Sequence, residues 1–143
     1  MDIATLIRDR DSEQIVSCEV STPVHDAIRI LAEMRIGAVP VVDEGRVVGI
    51  FSERDVIYRL AQEGDACLQR TMGEVMTSPA ITVDPGTNLL EGLALMTRRR
   101  IRHLPVVDGE ALVGFISIGD LVKSRLEEIQ HEAEAMRTYI QMA

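Results

Sequence analysis

At 143 residues, 46% of them apolar, the chain has about the length of one ordinary domain and the residues for a sizeable core, though either half alone would be marginal. A net charge of −8 argues against non-specific binding to DNA or anionic lipid while leaving room for a local basic site. No apolar run approaches the ~20 residues of a membrane span, Met1-Asp2-Ile3-Ala4 lacks the basic and apolar regions of a signal peptide, and two cysteines without metal-ligand spacing, Cys18 and Cys67, fit a reduced, cytoplasmic setting better than a disulfide framework.

The chain opens on a short helical segment around Ala4-Thr5-Leu6-Ile7, followed by a loop near Asp9 to Gln14 and a first strand at Val16 to Val20. Thr22-Pro23 reads as a helix start, with the threonine as cap and proline at the first helical position. Val24, Ala27, Ile28, Leu31 and Met34 then recur at helical spacing. Two short apolar runs, Val39 to Val42 and Arg46 to Phe51, flank the turn Asp43-Glu44-Gly45 and predict a hairpin. A helix follows from Ser52, and Gln62 to Arg70, mixed in charge and containing Gly64, reads as a linker.

The second half repeats the first. Gly73-Glu74-Val75-Met76 matches the opening helix, Ala80 to Val83 the first strand, and Thr87-Asn88 opens a helix whose inner face carries Leu89, Gly92, Leu93 and Met96. Leu104 to Val107 and Ala111 to Ile116 form the second hairpin around Asp108-Gly109-Glu110. Pro40 recurs as Pro105, an offset of 65 that holds without a gap from Thr22/Thr87 to Asp55/Asp120. The opening helices align at an offset of 69, so the first copy carries four extra residues near Asp9 to Gln14. Two copies of a strand, helix, strand, strand, helix unit sharing one core are expected, rather than a solenoid.

From Asp120 to Met142 the chain has neither Gly nor Pro, and Val122, Leu126, Ile129, Ala133, Met136 and Ile140 are spaced 4, 3, 4, 3, 4. That is a heptad seam. It reads either as a helix packed on its own domain or as one that meets a second copy of itself. Met34, Met72, Met76, Met96 and Met136 sit at apolar positions and read as core filler.

Ser52-Glu53-Arg54-Asp55 and Ser117-Ile118-Gly119-Asp120 are the sharpest chemical constellation. Each stands where a strand hands over to a helix, so free backbone N–H groups and the positive end of the helix dipole can receive an anion. The serine can donate to a phosphate, and an aspartate three residues on can accept both hydroxyls of a ribose. The same residues also make a capping box, although such boxes favour Glu or Gln where this chain has Asp twice. Arg98-Arg99-Arg100-Ile101-Arg102-His103 is the only basic cluster. Arg98 and Arg99 fit a solvated helix C-terminus. His25 and His131 have no metal-ligand partners and read as solvated helix residues.

In this order and register, Val39-Pro40-Val41-Val42-Asp43 with Leu104-Pro105-Val106-Val107-Asp108, and Val48 to Asp55 with Val113 to Asp120, resemble the CBS domain, named after cystathionine β-synthase. The resemblance is to the tandem pair called a Bateman module, covers about residues 14 to 125, and through Ile116 to Lys123 extends to small bacterial stand-alone CBS-pair proteins. It implies an α/β (α+β) fold of two β-α-β-β-α units packed through their sheets about a pseudo-two-fold axis. The units are expected at 1–66, with the N-terminal helix, and 67–125, followed by a C-terminal helix over 120–143.

The resemblance further implies two clefts for adenosine-containing ligands. The Asp120 cleft would use Ser117 and Asp120 for phosphate and ribose, Arg102 and His103 for phosphate, and Thr22, Ala27, Ile36 and Gly37 around the adenine. The Asp55 cleft would use Ser52, Arg54 and Asp55 opposite Thr87, Gly92, Ile101 and Arg102. Where the second repeat has Arg102-His103 the first has Gly37-Ala38, so the Asp120 cleft carries more phosphate-directed donors.

The chain has no GxxxxGK loop, no GxGxxG and no Cys/His dyad at recognisable spacing, so a catalytic site and a metal are not expected. The leading expectation is a non-catalytic sensor of AMP, ADP or ATP that forms a homodimer and acts on a protein target. NAD(H) or S-adenosylmethionine as the ligand, or a structural homodimeric interaction module with unoccupied clefts, are the alternatives.

Overall fold

The computed structural model describes residues 1–10 and 14–143. Most of the expected four-residue insertion therefore lies outside the described residues. Among the described residues, six α-helices and five strands follow in chain order: α1 (Ile3–Ile7), β1 (Cys18–Glu19), α2 (Val24–Met34), β2 (Ala38–Asp43), β3 (Arg46–Ser52), α3 (Glu53–Glu63), α4 (Met72–Val75), α5 (Leu89–Arg99), β4 (His103–Asp108), β5 (Ala111–Ser117) and α6 (Ile118–Met142). The two hairpins are superimposable in register, with Val39 facing Phe51 and Leu104 facing Ile116, and each carries an irregularity at the same place, Val41/Val42 and Val106/Val107. Identical sequence pattern has produced identical pairing.

Three local expectations shift. Helix α2 begins at Val24 with Pro23 as its cap, because the Pro23 carbonyl accepts the first helical bonds from Asp26 and Ala27. Thr22 turns back instead, its hydroxyl accepting from the Glu19 N–H. The first strands are shorter than predicted. β1 keeps only Cys18 and Glu19, parallel to β2, and the second copy is reduced to a single parallel bridge between Val83 and Val106. Pro79 and Pro85, which cannot donate to a ladder, bracket that segment. The expected linker is ordered: after α3 a 3-10 helix, Gly64–Gln69, buries Cys67.

Each repeat has its own core, and each core borrows a helix from the other repeat. Cys18, Val24, Ala27, Leu31, Val39, Val41 and Phe51 pack with Met72 and Val75 of α4. Val83, Leu89, Met96, Leu104, Val106, Ile116 and Leu121 pack with Ile3 of α1. Sequence order places α1 with the first unit, but its apolar face completes the second. Backbone bonds secure the exchange in matched fashion: Ile3 N–H to Thr87 O at 2.9 Å and Met72 N–H to Thr22 O at 2.8 Å. Of the methionines, Met72 and Met96 are buried and Met76 packs on the first core, whereas Met34 and Met136 are exposed.

Glycine makes room for these borrowed helices. A Cβ built on Gly49 would lie 2.5 Å from Met76 Sδ and 2.9 Å from the Thr77 carbonyl oxygen, and one on Gly114 would lie 3.1 Å from Ile7 Cγ2. Gly49 faces backbone, which cannot swing aside, while Gly114 faces a side chain. Gly49→Ala is therefore expected to cost about 1–3 kcal/mol in denaturant unfolding, and more than Gly114→Ala. Equal costs would show that β3 and the Met76-Thr77 segment after α4 can separate freely.

Helix α6 runs for 25 residues, but only Leu121 is buried and every residue from Ile129 onward is exposed. It is held to its own domain as far as Glu128, whose carboxylate lies 3.3 Å from the Met1 amino group.

Candidate functional site

Ser52 and Ser117 end β3 and β5 in extended conformation and start α3 and α6 as caps. Both make capping boxes. Ser52 N–H donates to Asp55 Oδ2 at 2.9 Å, and Ser117 N–H to Asp120 Oδ2 at 2.9 Å. The capping reading of these residues is thus what the folded chain does with them, and it leaves the second oxygen of each carboxylate to meet other groups.

Those other groups differ. Asp55 Oδ1 accepts from the Thr77 hydroxyl at 3.1 Å, and the Ser52 hydroxyl adds a bond to Oδ2 at 3.1 Å, so neutral donors hold both oxygens. Asp120 instead faces a guanidinium: Arg10 Nη2 lies 3.0 Å from Oδ1 and Nη1 donates to Oδ2 at 3.4 Å. Burial works against ionisation of Asp120, yet the Arg10 bond and the Ser117 N–H outweigh it and hold the carboxyl below its usual value.

Asp120 lies in a cleft of about 820 Å³ between the repeats. Of the residues expected there, Ile36, Gly37, His103, Ser117 and Asp120 line it. Ala27 is sealed in the first core, Thr22 is engaged beside β1, and Arg102 is exposed next to His103 while its carbonyl accepts from the Ile118 N–H. The cleft also takes in Asp9, Arg10, Gln14, Ile15, Val16, Arg35 and Phe115. Phe115 had a legible signal, since it is two places from Ser117, the cross-strand partner of His103, on the same face of the hairpin. Its ring stacks on the imidazole with centroids 5.5 Å apart and planes 12° from parallel.

Burial is the main cause that keeps His103 below its ordinary value of 6.5, with Arg102 adding to it and Asp120 and Glu53 pulling the other way. The ring is neutral at pH 7 in this state. A Cβ on Gly37 would come within 2.7 Å of Glu53 Oε1 and 3.4 Å of His103 Cε1, so the absence of a side chain there keeps the cleft open beside the imidazole.

The residues expected at the Asp55 cleft are less completely gathered. Ser52 and Asp55 are bonded to each other, and Arg54 reaches across to donate to the Arg100 carbonyl at 3.3 Å, bringing it beside Ile101 and Arg102. Gly92 is buried, facing Leu121 and Ile3, and Ile101 packs against the second core. Thr87 lines a separate groove with Glu91 and Arg98. Among the described residues no His, Cys, Asp and Glu cluster is arranged to hold a metal ion, and no helix is long and apolar enough to cross a membrane.

Residues 7–62 and 72–127 each match the family model described as the CBS domain. A putative signal-transduction protein with CBS domains from Burkholderia ambifaria is 37% identical, with a TM-score of 0.81 over 89% of this chain and 95% of that one. A CBS domain-containing mitochondrial protein of Arabidopsis thaliana, CBSX3, is 34% identical over 87% of this chain, which spans 63% of that relative's length. The CBS domain pair of protein MJ0100, solved in complex with 5′-methylthioadenosine and S-adenosyl-L-methionine, is 26% identical with a TM-score of 0.75 over 91% of this chain and 98% of that one.

Proposed function

The chain belongs to the CBS-domain family, and we propose that it is a regulatory module without catalysis of its own, binding an adenosine-containing nucleotide of the AMP, ADP or ATP class in the Asp120 cleft. The observation that carries this reading is the cleft itself, where an ionised carboxylate at a helix start stands opposite His103, Arg10 and Arg35. A carboxylate suits ribose hydroxyls and the cations suit phosphate. The adenosine moiety common to the MJ0100 ligands supports the class, and the extra cations favour phosphate over the sulfonium of S-adenosylmethionine. NAD(H) fits the same chemistry less economically. The free, buried cysteines agree with a cytoplasmic setting.

Isothermal titration with AMP, ADP, ATP, NAD(H) and S-adenosylmethionine tests the proposal. Binding of none of them would leave a structural interaction module as the reading.

His103 gives this binding a pH signature. A phosphate beside the ring favours its charged form, so binding takes up a proton. AMP affinity is expected to climb as pH falls from the bound-state pKa towards the depressed free-state one, by up to about tenfold per pH unit for one proton. His103→Gln should flatten that climb, and the comparison cancels the titration of the phosphate itself. A profile identical in wild type and variant would remove His103 from the phosphate. Arg102, exposed beside it, is proposed as a second, weaker contact.

We propose further that the protein is a homodimer through α6. Beyond Glu128 the seam residues Ile129, Met136 and Ile140 are 44%, 59% and 64% exposed, and a lone amphipathic segment of this kind is marginal in water. Ile129→Lys with Met136→Lys should place charges in the contact and convert a particle of two chain masses into one of a single chain mass by light scattering. A monomeric wild type at micromolar concentration would end the dimer claim.

A further inference from the structure

We infer that Arg10 is an internal stand-in for the ribose: it occupies both oxygens of Asp120 in the free protein, so a nucleotide must displace it, and it thereby sets the preference for phosphorylated over unphosphorylated ligands. The inference rests on the nucleotide-binding reading of the Asp120 cleft. A carboxylate that is to accept two vicinal hydroxyls needs both oxygens, and here the two guanidinium nitrogens lie 3.0 and 3.4 Å from them. The pair is bidentate, the geometry that makes an arginine hard to replace by a weaker donor.

Arg10 is also held where it can do this. Its N–H donates to the Ile7 carbonyl at 3.0 Å, and Ile7 packs in the second core against Gly114, so the side chain swings on a base fixed at the cleft wall. Among the described residues no arginine pairs with Asp55 in this way. On the offset that aligns α1 with α4, Arg10 corresponds to Pro79, and Asp55 is held by the neutral hydroxyl of Thr77.

Displacement costs every ligand the same ion pair, but not every ligand returns something for it. Adenosine offers the freed guanidinium no anion. AMP offers its phosphate, within the same cleft that Arg10, Arg35 and His103 line. Apparent affinity is reduced by the fraction of molecules in which Asp120 is free, and that reduction falls fully on adenosine and is partly recovered by AMP.

Titration calorimetry of adenosine and AMP into wild type, Arg10→Gln and Arg10→Lys tests this. Arg10→Gln should bind adenosine several-fold more tightly than wild type does, gain less or nothing with AMP, and so show a smaller AMP-to-adenosine ratio. Arg10→Lys, a point charge that cannot span both oxygens, should fall between the two. In the free protein, NMR titration of the Asp120 carboxyl should move up towards its ordinary value in Arg10→Gln. Unchanged adenosine affinity, a parallel loss for both ligands, or an unmoved Asp120 carboxyl would each overturn the inference while AMP binding by the wild type leaves the nucleotide reading intact. Binding of neither ligand by wild type or variant would overturn both.

Discussion

Replacing Phe51 with alanine is expected to lower the unfolding free energy by about 3–5 kcal/mol, a large share of the roughly 5–15 kcal/mol typical of a domain. Phe51 is the largest fully buried side chain among the described residues, packed in the first core with Val39, Val41, Leu31 and Met72. The loss should be global rather than confined to the first repeat, because the core it punctures includes α4, whose chain continues directly into the second. Denaturant unfolding followed by far-UV circular dichroism should show a single transition moved to lower midpoint with an unchanged slope. A biphasic curve, with half the helical signal surviving, would mean that the two cores fold independently.

Asp120→Ala is expected to weaken AMP binding by about 1–3 kcal/mol, the cost of leaving ribose hydroxyls unpaired in a closed site, and by more than Asp55→Ala does. The ranking follows from the surroundings. Asp120 opens onto a cleft of about 820 Å³ with Arg10, Arg35 and His103 in its walls, whereas Asp55 has both oxygens bonded to Ser52 and Thr77. Since Asp120→Ala also spares the ligand the breaking of the Arg10 pair, the loss for AMP should lie toward the lower part of that range. Calorimetric titration of both variants decides it, and an equal or greater loss at Asp55 would reverse the ranking.

The hairpins, the caps and the two helices that follow them were legible because each rests on local chemistry written twice: a Gly-containing turn between apolar runs, and a serine three residues before an aspartate. The docking of α1 and α4 was not. Their four-residue resemblance shows that they are equivalent, but which core a short amphipathic helix completes is a tertiary choice that its own apolar pattern does not encode. The site divided along the same line. His103, Ser117 and Asp120 belong to the repeated motifs, which is why the sequence singles them out, and all three line the cleft. Arg10 lies at the edge of the inserted stretch and is matched only by Pro79 in the second copy, and Arg35 matches Arg100 in the other repeat, each a left-handed helix cap with φ near 53 and 54°, a setting that marks the backbone rather than a ligand contact. Ala27 lies inside the first core, a position its sequence does not distinguish from a cleft wall, since a small residue at a helix's inner face serves equally well beside a ligand or inside a core.

The reciprocal loan of α1 and α4 means that the unit of sequence repetition is not the unit of folding. Dividing the chain between Ala66 and Cys67 would yield two fragments, each carrying the helix that its partner needs and missing the one it needs itself. The stretches that share a core interleave: one joins Val16 to Met76, the other joins the first turn of the chain to the residues from Ile81 to Leu121. Such an arrangement has the form of a domain-swapped dimer whose two protomers have been tied into one polypeptide. It makes separate inheritance of the halves difficult, for a single repeat moved into another protein would arrive with an open core unless a second came with it.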